Sequence, residues 1–132
     1  MQDKRLTCLG SGILSFDIVT EREYPEGYIK QETYSDHILL QEAGGACGNL
    51  MSFLSYYGWE TYPIARIDTS LISKQLIADL NRYGVDTRFI FQHIKNDTPV
   101  IQYRQDTDKE GKRHVINKKF CSDGLFHRFR PA

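Results

Sequence analysis

The spacing of apolar residues changes along the 132-residue chain, and its first third predicts strands. Residues 6–14 form a short apolar run broken by two glycines, which is typical of a buried strand that leads into a loop at Asp17. Residues 21–43 alternate loosely between polar and apolar around a turn at Pro25 and Gly27. This second pattern predicts an exposed excursion of two strands.

Helical spacing begins at Cys47. Apolar residues recur every three or four positions over 47–57 and again after Ser70, and Gly58 and Gly84 stand where these two helices should end. The residues predicted to face the core are Leu50, Phe53, Leu54 and Tyr57 in the first helix and Ile72, Leu76, Leu80 and Tyr83 in the second.

A strand-like segment follows each helix, at residues 61–67 and 85–94, and residues 99–104 and 113–117 flank a polar turn and predict a hairpin. Because strands alternate with helices, we predict one α/β domain: Rossmann-like, a partial parallel sheet with flanking helices and a small β lid. A sheet this small leaves an edge with unpaired backbone groups, so a homodimer through the lid or the open sheet edge is a possible assembly.

Composition narrows the range of partners. Lys and Arg balance Asp and Glu at 17 each, and no run of basic residues alternates with aromatic ones, so nucleic acid is not an expected partner. No stretch approaches the roughly 20 apolar residues of a membrane helix, and the N-terminus lacks a signal peptide's apolar region. Three widely spaced cysteines, Cys8, Cys47 and Cys121, favour reduced thiols over a disulfide framework. We therefore expect a soluble, cytoplasmic protein.

The most informative chemistry stands directly before the first helix. Gly44 and Gly45 let the backbone approach a ligand closely, and the N–H groups at a helix start are unsatisfied donors. Asn49 can donate and accept, as a sugar hydroxyl requires, and the carboxylate of Asp17 can accept from two hydroxyls. Open α/β sheets bind ligands at the carboxyl ends of their strands, where both elements are expected. Taken singly, a glycine-rich helix cap and an ordinary loop aspartate are the alternatives.

Several motifs, in order along the chain, resemble the ribokinase-like (PfkB-type) family of carbohydrate kinases. Gly10-Ser11-Gly12 with Asp17 looks like the family's opening G-x-G-(x)4-D, and Gly44-Gly45 with Asn49 looks like its G-G-x-(G/A)-x-N motif. The resemblance covers roughly residues 5–117. Three further points of similarity are Gly58 at the expected distance, Tyr83-Gly84-Val85-Asp86-Thr87 for the "GV-D-T" segment, and Thr98-Pro99 for the start of the lid strands.

The resemblance implies that residues 1–132 form the N-terminal substrate-binding part of a ribokinase-like domain, with lid strands at about 21–43 and 99–117. Asp17, Gly44, Gly45 and Asn49 would bind the hydroxyls of a sugar or nucleoside, which the complete family phosphorylates with ATP and Mg²⁺. The family's G-A-G-D motif, with its anion hole and catalytic base, belongs to a second half that these residues do not include. We therefore expect no catalytic residue, no tightly bound cofactor and no turnover in this chain alone.

The sequence departs from the family pattern at three places. Cys47 stands where the family has Gly or Ala, and Met51 where a small residue is usual, so the pocket floor is expected to be tighter or repacked. Residues 66–73 occupy the place of the family's R-x-G-x-D-x-x-G turn without its glycines or its aspartate. This loop is expected to be remodelled.

Other interpretations stay open at this point. A naturally short, non-catalytic member would bind a sugar or dimerise, and a Rossmann-like nucleotide binder would use Gly10 and Gly12 to bind NAD. A metal site would have to combine Cys121, Asp123 and His127 with His114 nearby. Structural zinc normally uses four Cys or His ligands in close pairs, so no metal is expected.

Overall fold

The structure is a computed structural model that describes residues 4–23, 35–107 and 110–120. Strands and helices alternate along these ranges in the order that the apolar spacing predicts. The elements are β1 (Thr7–Ser11), β2 (Ser15–Glu23), β3 (Ser35–Gly44), α1 (Gly45–Tyr56), β4 (Glu60–Ile67), α2 (Leu71–Arg82), β5 (Ile90–Gln92), β6 (Val100–Thr107) and β7 (Arg113–Phe120).

The strands form two sheets. One is parallel throughout, in the order β1-β4-β5, and the other has the order β3-β2-β6-β7. In the second sheet β2 and β6 run parallel, while β2 pairs with β3 and β6 with β7 in antiparallel fashion. The predicted α/β class, with a partial parallel sheet and flanking helices, is confirmed. No helix in the described ranges is long and apolar enough to span a membrane.

Asp17 belongs to a different element from the one predicted. β1 ends at Ser11, and Asp17 is the third residue of β2, so the prediction that it follows the first strand in a loop was wrong. The reason is that β2 has partners on both sides, β3 and β6, which extend it back to Ser15. The excursion predicted at 21–43 accordingly begins earlier, and its Pro25 and Gly27 turn lies outside the described residues.

The helix α1 buries a different face from the one predicted. Its buried residues are Cys47, Gly48 and Met51, whereas Leu50, Phe53 and Tyr57 are exposed. Cβ atoms added to Gly10 and Gly12 would meet the side chains of Met51 and Cys47, so these glycines let α1 lie close to the β1 segment. Close approach, rather than side-chain size, therefore decides which face is buried.

The predictions for α2 and β5 differ in accuracy. Leu76 and Leu80 of α2 are fully buried, as expected, but Ile72 and Tyr83, which were also predicted to face the core, are exposed, so only the middle of the predicted apolar face is buried. The strand predicted at 85–94 is reduced to Ile90–Gln92, because residues 85–89 make local contacts instead: the Val85 amide donates to the Leu80 carbonyl and the Arg88 amide to Asp86. β6 and β7 form a hairpin that extends the predicted segments to Val100–Thr107 and Arg113–Phe120.

The hydrophobic core lies where α1 and α2 meet both sheets. The buried cluster joins Leu14 and Phe16 near β2 to Met51 of α1, Ile67 of β4 and Leu76 of α2. The opposite face of the parallel sheet carries Leu9, Ile64 and Phe91, which are exposed. Parallel sheets are normally covered on both faces, so this apolar face has no cover within the described residues.

Candidate functional site

Asp17 and Gly44 lie together where β2 meets β3. Ser15 pairs with Gly44 and Asp17 with Glu42 across the antiparallel ladder, so the side chains of these positions share one face of the sheet. The Ser15 hydroxyl donates to Asp17 Oδ1 at 2.7 Å and fixes the carboxylate. A Cβ atom on Gly44 would overlap this carboxylate, so any larger residue would displace it from this position. The two predicted residues are in direct proximity.

Gly45 continues this junction into α1. Its φ of +83° lies in the left-handed region, and an added Cβ atom would meet the carbonyl oxygen of Ile13. The Cys47 amide donates to the same carbonyl at 3.1 Å, which ties the helix start to the loop between β1 and β2. No described side chain caps this helix. The start of α1 thus presents its positive dipole end close to the carboxylate of Asp17.

Asn49 lies one turn further along α1 and is exposed. It lines a groove of about 520 Å³ together with Glu42, the cross-strand partner of Asp17. Asp17, Gly44 and Gly45 do not line this groove, which reaches the junction only through Glu42 and Ala43 of β3. The structure therefore brings Asp17, Gly44 and Gly45 together and places Asn49 in the neighbouring groove.

Glu42 and Asp79 take part in this junction but were not predicted. Glu42 accepts a hydrogen bond from the Tyr83 hydroxyl at 3.1 Å. Asp79 of α2 is 2% exposed, and its Oδ2 accepts from the Ala43 amide at 3.0 Å, directly before Gly44. Gln75 and Arg82 donate to the other oxygen of Asp79. A buried carboxylate from α2 thus holds the end of β3 in place.

Cys47 and Met51, the two departures in the helix, point away from the groove. Met51 and Cys47 pack against Gly10 and Gly12, and the Cys47 thiol lies 3.7 Å from the Gly10 carbonyl oxygen. Burial, with a smaller contribution from Cys8, raises the pKa of the Cys47 thiol. These side chains occupy the space over both glycines, so a dinucleotide cannot approach there as the NAD interpretation requires.

The remodelled turn at residues 68–73 is closed by its own side chains. Ser70 caps α2 by accepting from the Ser73 amide, and Asp68 accepts from the Ser70 amide and the Ser73 hydroxyl. The buried Thr98 hydroxyl accepts from the Asp68 amide at 3.1 Å and hydrogen-bonds with Ser73. Partial burial raises the pKa of Asp68, but these hydrogen bonds outweigh it and hold the pKa below its ordinary value.

The junction fits hydroxyl groups better than phosphates or metal ions. Asp17 and Glu42 place two carboxylates on one face, and like charges disfavour a polyphosphate beside them. No three His, Cys, Asp or Glu side chains within the described ranges converge on a metal site. The ligands considered for a metal in the tail, Cys121, Asp123 and His127, lie outside those ranges.

Comparison with known proteins identifies the fold. No family model matches the sequence, and no curated protein matches it. Among solved structures, a fructokinase from Xylella fastidiosa matches 87% of this chain at 20% identity with a TM-score of 0.64. A carbohydrate kinase from Agrobacterium tumefaciens matches 87% at 19% identity with a TM-score of 0.66. This chain has the ribokinase-like fold. A PfkB protein from Polaromonas shares the fold at 14% identity, with 92% of this chain covered and a TM-score of 0.61.

This chain covers only part of the length of the kinases that share its fold. This chain spans 32% of the fructokinase, 35% of the carbohydrate kinase and 36% of the PfkB protein, about a third of each. The same fructokinase is also known with bound ATP.

Proposed function

We propose that this chain binds the hydroxyl groups of a sugar or nucleoside at the junction of β2, β3 and α1. The observation that carries the proposal is the carboxylate of Asp17, which Ser15 holds against Gly44 beside the uncapped start of α1. Asp17 accepts hydrogen bonds from two hydroxyls, and Asn49 donates to one and accepts from another. Gly44 and Gly45 let the Asp17 carboxylate and the Ile13 carbonyl come close to the start of α1.

We further propose that the junction is the substrate-binding portion of an ATP-dependent carbohydrate kinase. The ribokinase-like fold and the sugar kinases that share it support this. Phosphoryl transfer depends on positioned charge at the phosphates and on a base for the attacking hydroxyl. We assign ATP, Mg²⁺ and the base to the part of the kinase fold that this chain does not span, a proposal supported by its covering about a third of each of these kinases. The chain alone binds substrate without phosphorylating it.

The sheet β3-β2-β6-β7 is proposed to act as the lid of this site. Asp17 lies on β2, a central strand of that sheet, so any movement of the sheet relative to α1 changes the distance between Asp17 and Asn49. Closure of such a lid excludes water, which would otherwise compete with the substrate hydroxyl.

Ligand titration monitored by NMR tests the binding proposal. The ¹⁵N-labelled chain would be titrated with ribose, fructose, other monosaccharides and nucleosides. At least one of them is expected to shift the amide signals of Gly44, Gly45 and Asn49 more than those of β5 and the α2 start. A panel without any such shift, or shifts confined to other elements, would contradict the proposal.

An assay of the purified chain tests its lack of turnover. The chain, a binding ligand from the panel, ATP and Mg²⁺ are incubated, and ADP formation is measured. We expect no ADP above the protein-free background. Steady-state ADP formation that disappears in Asp17→Ala would show that this chain contains a complete catalytic site.

The uncovered face of the parallel sheet supports a second candidate function, a sugar-binding protein that pairs with another copy. Leu9, Ile64 and Phe91 are exposed together on this face. The molar mass in solution, measured by light scattering for the wild-type chain and for Ile64→Ser, separates the candidates. A concentration-dependent dimer that Ile64→Ser dissociates would favour pairing, whereas a monomer at all concentrations would exclude it.

A further inference from the structure

The groove beside α1 is distinct from the junction that contains Asp17. It lies between the end of β3, α1 and the end of α2, and Asp17 does not line it. Its charged residues are Glu42 and Arg82, and its aromatic residues are Phe53, Tyr56 and Tyr83. The proposed function assigns no role to these side chains.

The wall of the groove carries an excess of negative charge. Arg82 pairs with the buried carboxylate of Asp79 at 3.1 Å, so the guanidinium at the groove wall is already neutralised. Among the residues that the structure describes, Glu42 has no ion-pair partner, and its Oε2 atom accepts from the Tyr83 hydroxyl at 3.1 Å. Asp17, which pairs with Glu42 across the β2–β3 ladder, adds a further carboxylate nearby. The groove therefore attracts a positively charged ligand and repels an anion.

Two aromatic rings of α1 line the same groove as this carboxylate. Phe53 is 58% exposed and Tyr56 82%, so both rings are accessible to a ligand. Each also packs on Tyr57, with ring centres 4.8 Å apart for Phe53 and 5.3 Å apart for Tyr56. Tyr57 does not line the groove, and its contacts restrict the rotation of both rings before a ligand binds.

The combination of rings and charge defines the class of ligand. Aromatic rings alone accept many apolar surfaces, so the uncompensated carboxylate of Glu42 decides between a neutral ligand and a cation. The face of an aromatic ring attracts an ammonium group, and alkyl groups around the charge add apolar contact. A contact of this type already exists within the chain, because the Arg82 guanidinium lies 5.4 Å from the centre of the Tyr83 ring.

A metal ion does not suit the groove. Magnesium and calcium bind through several oxygen ligands, usually with more than one carboxylate. Among the described residues that line the groove, Glu42 supplies the only carboxylate. A cation that is held partly by aromatic rings fits this set of side chains better.

We propose that this groove binds a small organic cation with an alkylammonium group, its charge at Glu42 and its alkyl groups against Phe53 and Tyr56. The proposal does not rest on the proposed function, because the carboxylate that would bind sugar hydroxyls, Asp17, does not line the groove. It adds a second binding site with a ligand of different chemistry.

NMR titration of the ¹⁵N-labelled chain tests this proposal with organic cations and a neutral analogue. The cations are choline, tetramethylammonium and butylammonium. The analogue is 3,3-dimethylbutan-1-ol, which has the shape of choline without its charge. Each probe would be titrated into the wild-type chain and its variants, and affinities would be obtained from the shifts of amide signals.

The variants remove one property of the groove at a time. Glu42→Gln removes the charge but keeps an oxygen that accepts from the Tyr83 hydroxyl, and Phe53→Leu removes one ring but keeps an apolar side chain. Glu60→Gln on β4 and Phe91→Leu on β5 are the matched controls, because neither residue lines the groove. Phe91 is 55% exposed, close to the value for Phe53.

We expect at least one cation to shift the amide signals of Glu42, Ser52 and Phe53, and the neutral analogue to bind at least about 10-fold more weakly. Glu42→Gln should weaken cation binding by about 10-fold, since the charge-assisted contact is lost. Phe53→Leu should weaken it by about 2- to 30-fold, the effect of losing one cation–π contact. Glu60→Gln and Phe91→Leu should match the wild type.

Three results would overturn the proposal. Equal affinity for choline and its neutral analogue would show that the groove recognises apolar shape alone. Equal losses in Glu42→Gln and Glu60→Gln would show that the cations respond to the overall charge of the chain. Groove signals that none of the cations shifts would show that the groove holds no such ligand. None of these results bears on sugar binding at Asp17, so the proposed function would stand.

Discussion

Two strand-to-helix junctions of this protein are built in opposite ways. At the start of α1, two glycines approach Asp17 and Ile13 so closely that no side chain fits, and no described side chain caps the helix. At the start of α2, Ser70 caps the helix, and Asp68, Ser73 and Thr98 hydrogen-bond to one another. The second junction satisfies its own polar groups, whereas at the first Ser15 donates to one oxygen of Asp17 only and no described side chain caps the helix. Binding is therefore expected at α1 and not at α2.

The largest expected effect is that of Gly45→Ala. Alanine would have to adopt a φ near +83° and would meet the Ile13 carbonyl. Strain and overpacking together should lower the free energy of unfolding by about 3 kcal/mol or more. Gly58→Ala is the matched control, because Gly58 has a φ of +88° with nothing within 4 Å of an added Cβ atom. Gly58→Ala should lower the free energy of unfolding, measured by urea denaturation, by only about 1–2 kcal/mol. Equal losses would show that the close approach at α1 is unimportant.

The second largest effect is expected from Asp79 of α2, which supports the junction at the start of α1. Asp79→Ala leaves the buried Ala43 amide without its partner and should reduce the free energy of unfolding by about 2–3 kcal/mol. It should also weaken sugar binding, since Ala43 precedes Gly44. Asp79→Asn keeps an accepting oxygen and should recover much of both losses. If Asp79→Ala lowers stability but leaves affinity unchanged in the folded fraction, Asp79 does not position the site.

Thr98→Val tests whether the hydrogen bonds at the start of α2 serve stability alone and not ligand binding. Valine has nearly the shape of threonine but lacks the hydroxyl that accepts from the Asp68 amide and contacts Ser73. We expect a loss of about 1–2 kcal/mol in unfolding free energy and no change in ligand affinity. A large loss of affinity would mean that the α2 junction also contributes to binding.

The smallest effect is the pH dependence contributed by Asp68. Because its pKa is lowered in the folded state, its stabilising contribution is present above the unfolded pKa of about 3.9 and is lost as pH falls through the lower folded value. The difference in urea midpoint between wild type and Asp68→Asn should therefore be constant from about pH 5 to 8 and shrink below about pH 4. A difference that stays constant down to pH 2 would contradict this role for Asp68.

The sequence predicted the elements better than their contacts. Glycines with positive φ end both helices at the predicted positions, Gly58 and Gly84, because few other residues adopt that conformation. The predicted buried face of α1 was wrong. The spacing of apolar residues does not show that the small residues Cys47 and Gly48 allow the helix to pack closely against its neighbours. Asp79 could not be found from the sequence, because its bond to Ala43 spans 36 positions.

The candidate site was predictable only in its glycines and its motif spacing. Gly44 and Gly45 stand out as a glycine pair directly before a helical pattern, and a joint role with Asp17 was implied by the resemblance to the ribokinase-like family. The assignment of Asp17 to β2 depends on β3 and β6, which pair with it from distant parts of the chain. Glu42 has no sequence signal other than its place two residues before Gly44.

Calorimetric titration of Asp17→Asn tests the central claim most directly. The best ligand from the panel would be titrated into the wild-type chain, Asp17→Asn and the control Asp86→Asn, whose carboxylate forms an exposed ion pair with Arg88. Loss of one charge-assisted hydrogen bond should weaken binding by about 10- to 100-fold in Asp17→Asn. Asp86→Asn should match the wild type. Equal affinities for all three chains would contradict the assignment of Asp17 as the residue that binds the substrate hydroxyls.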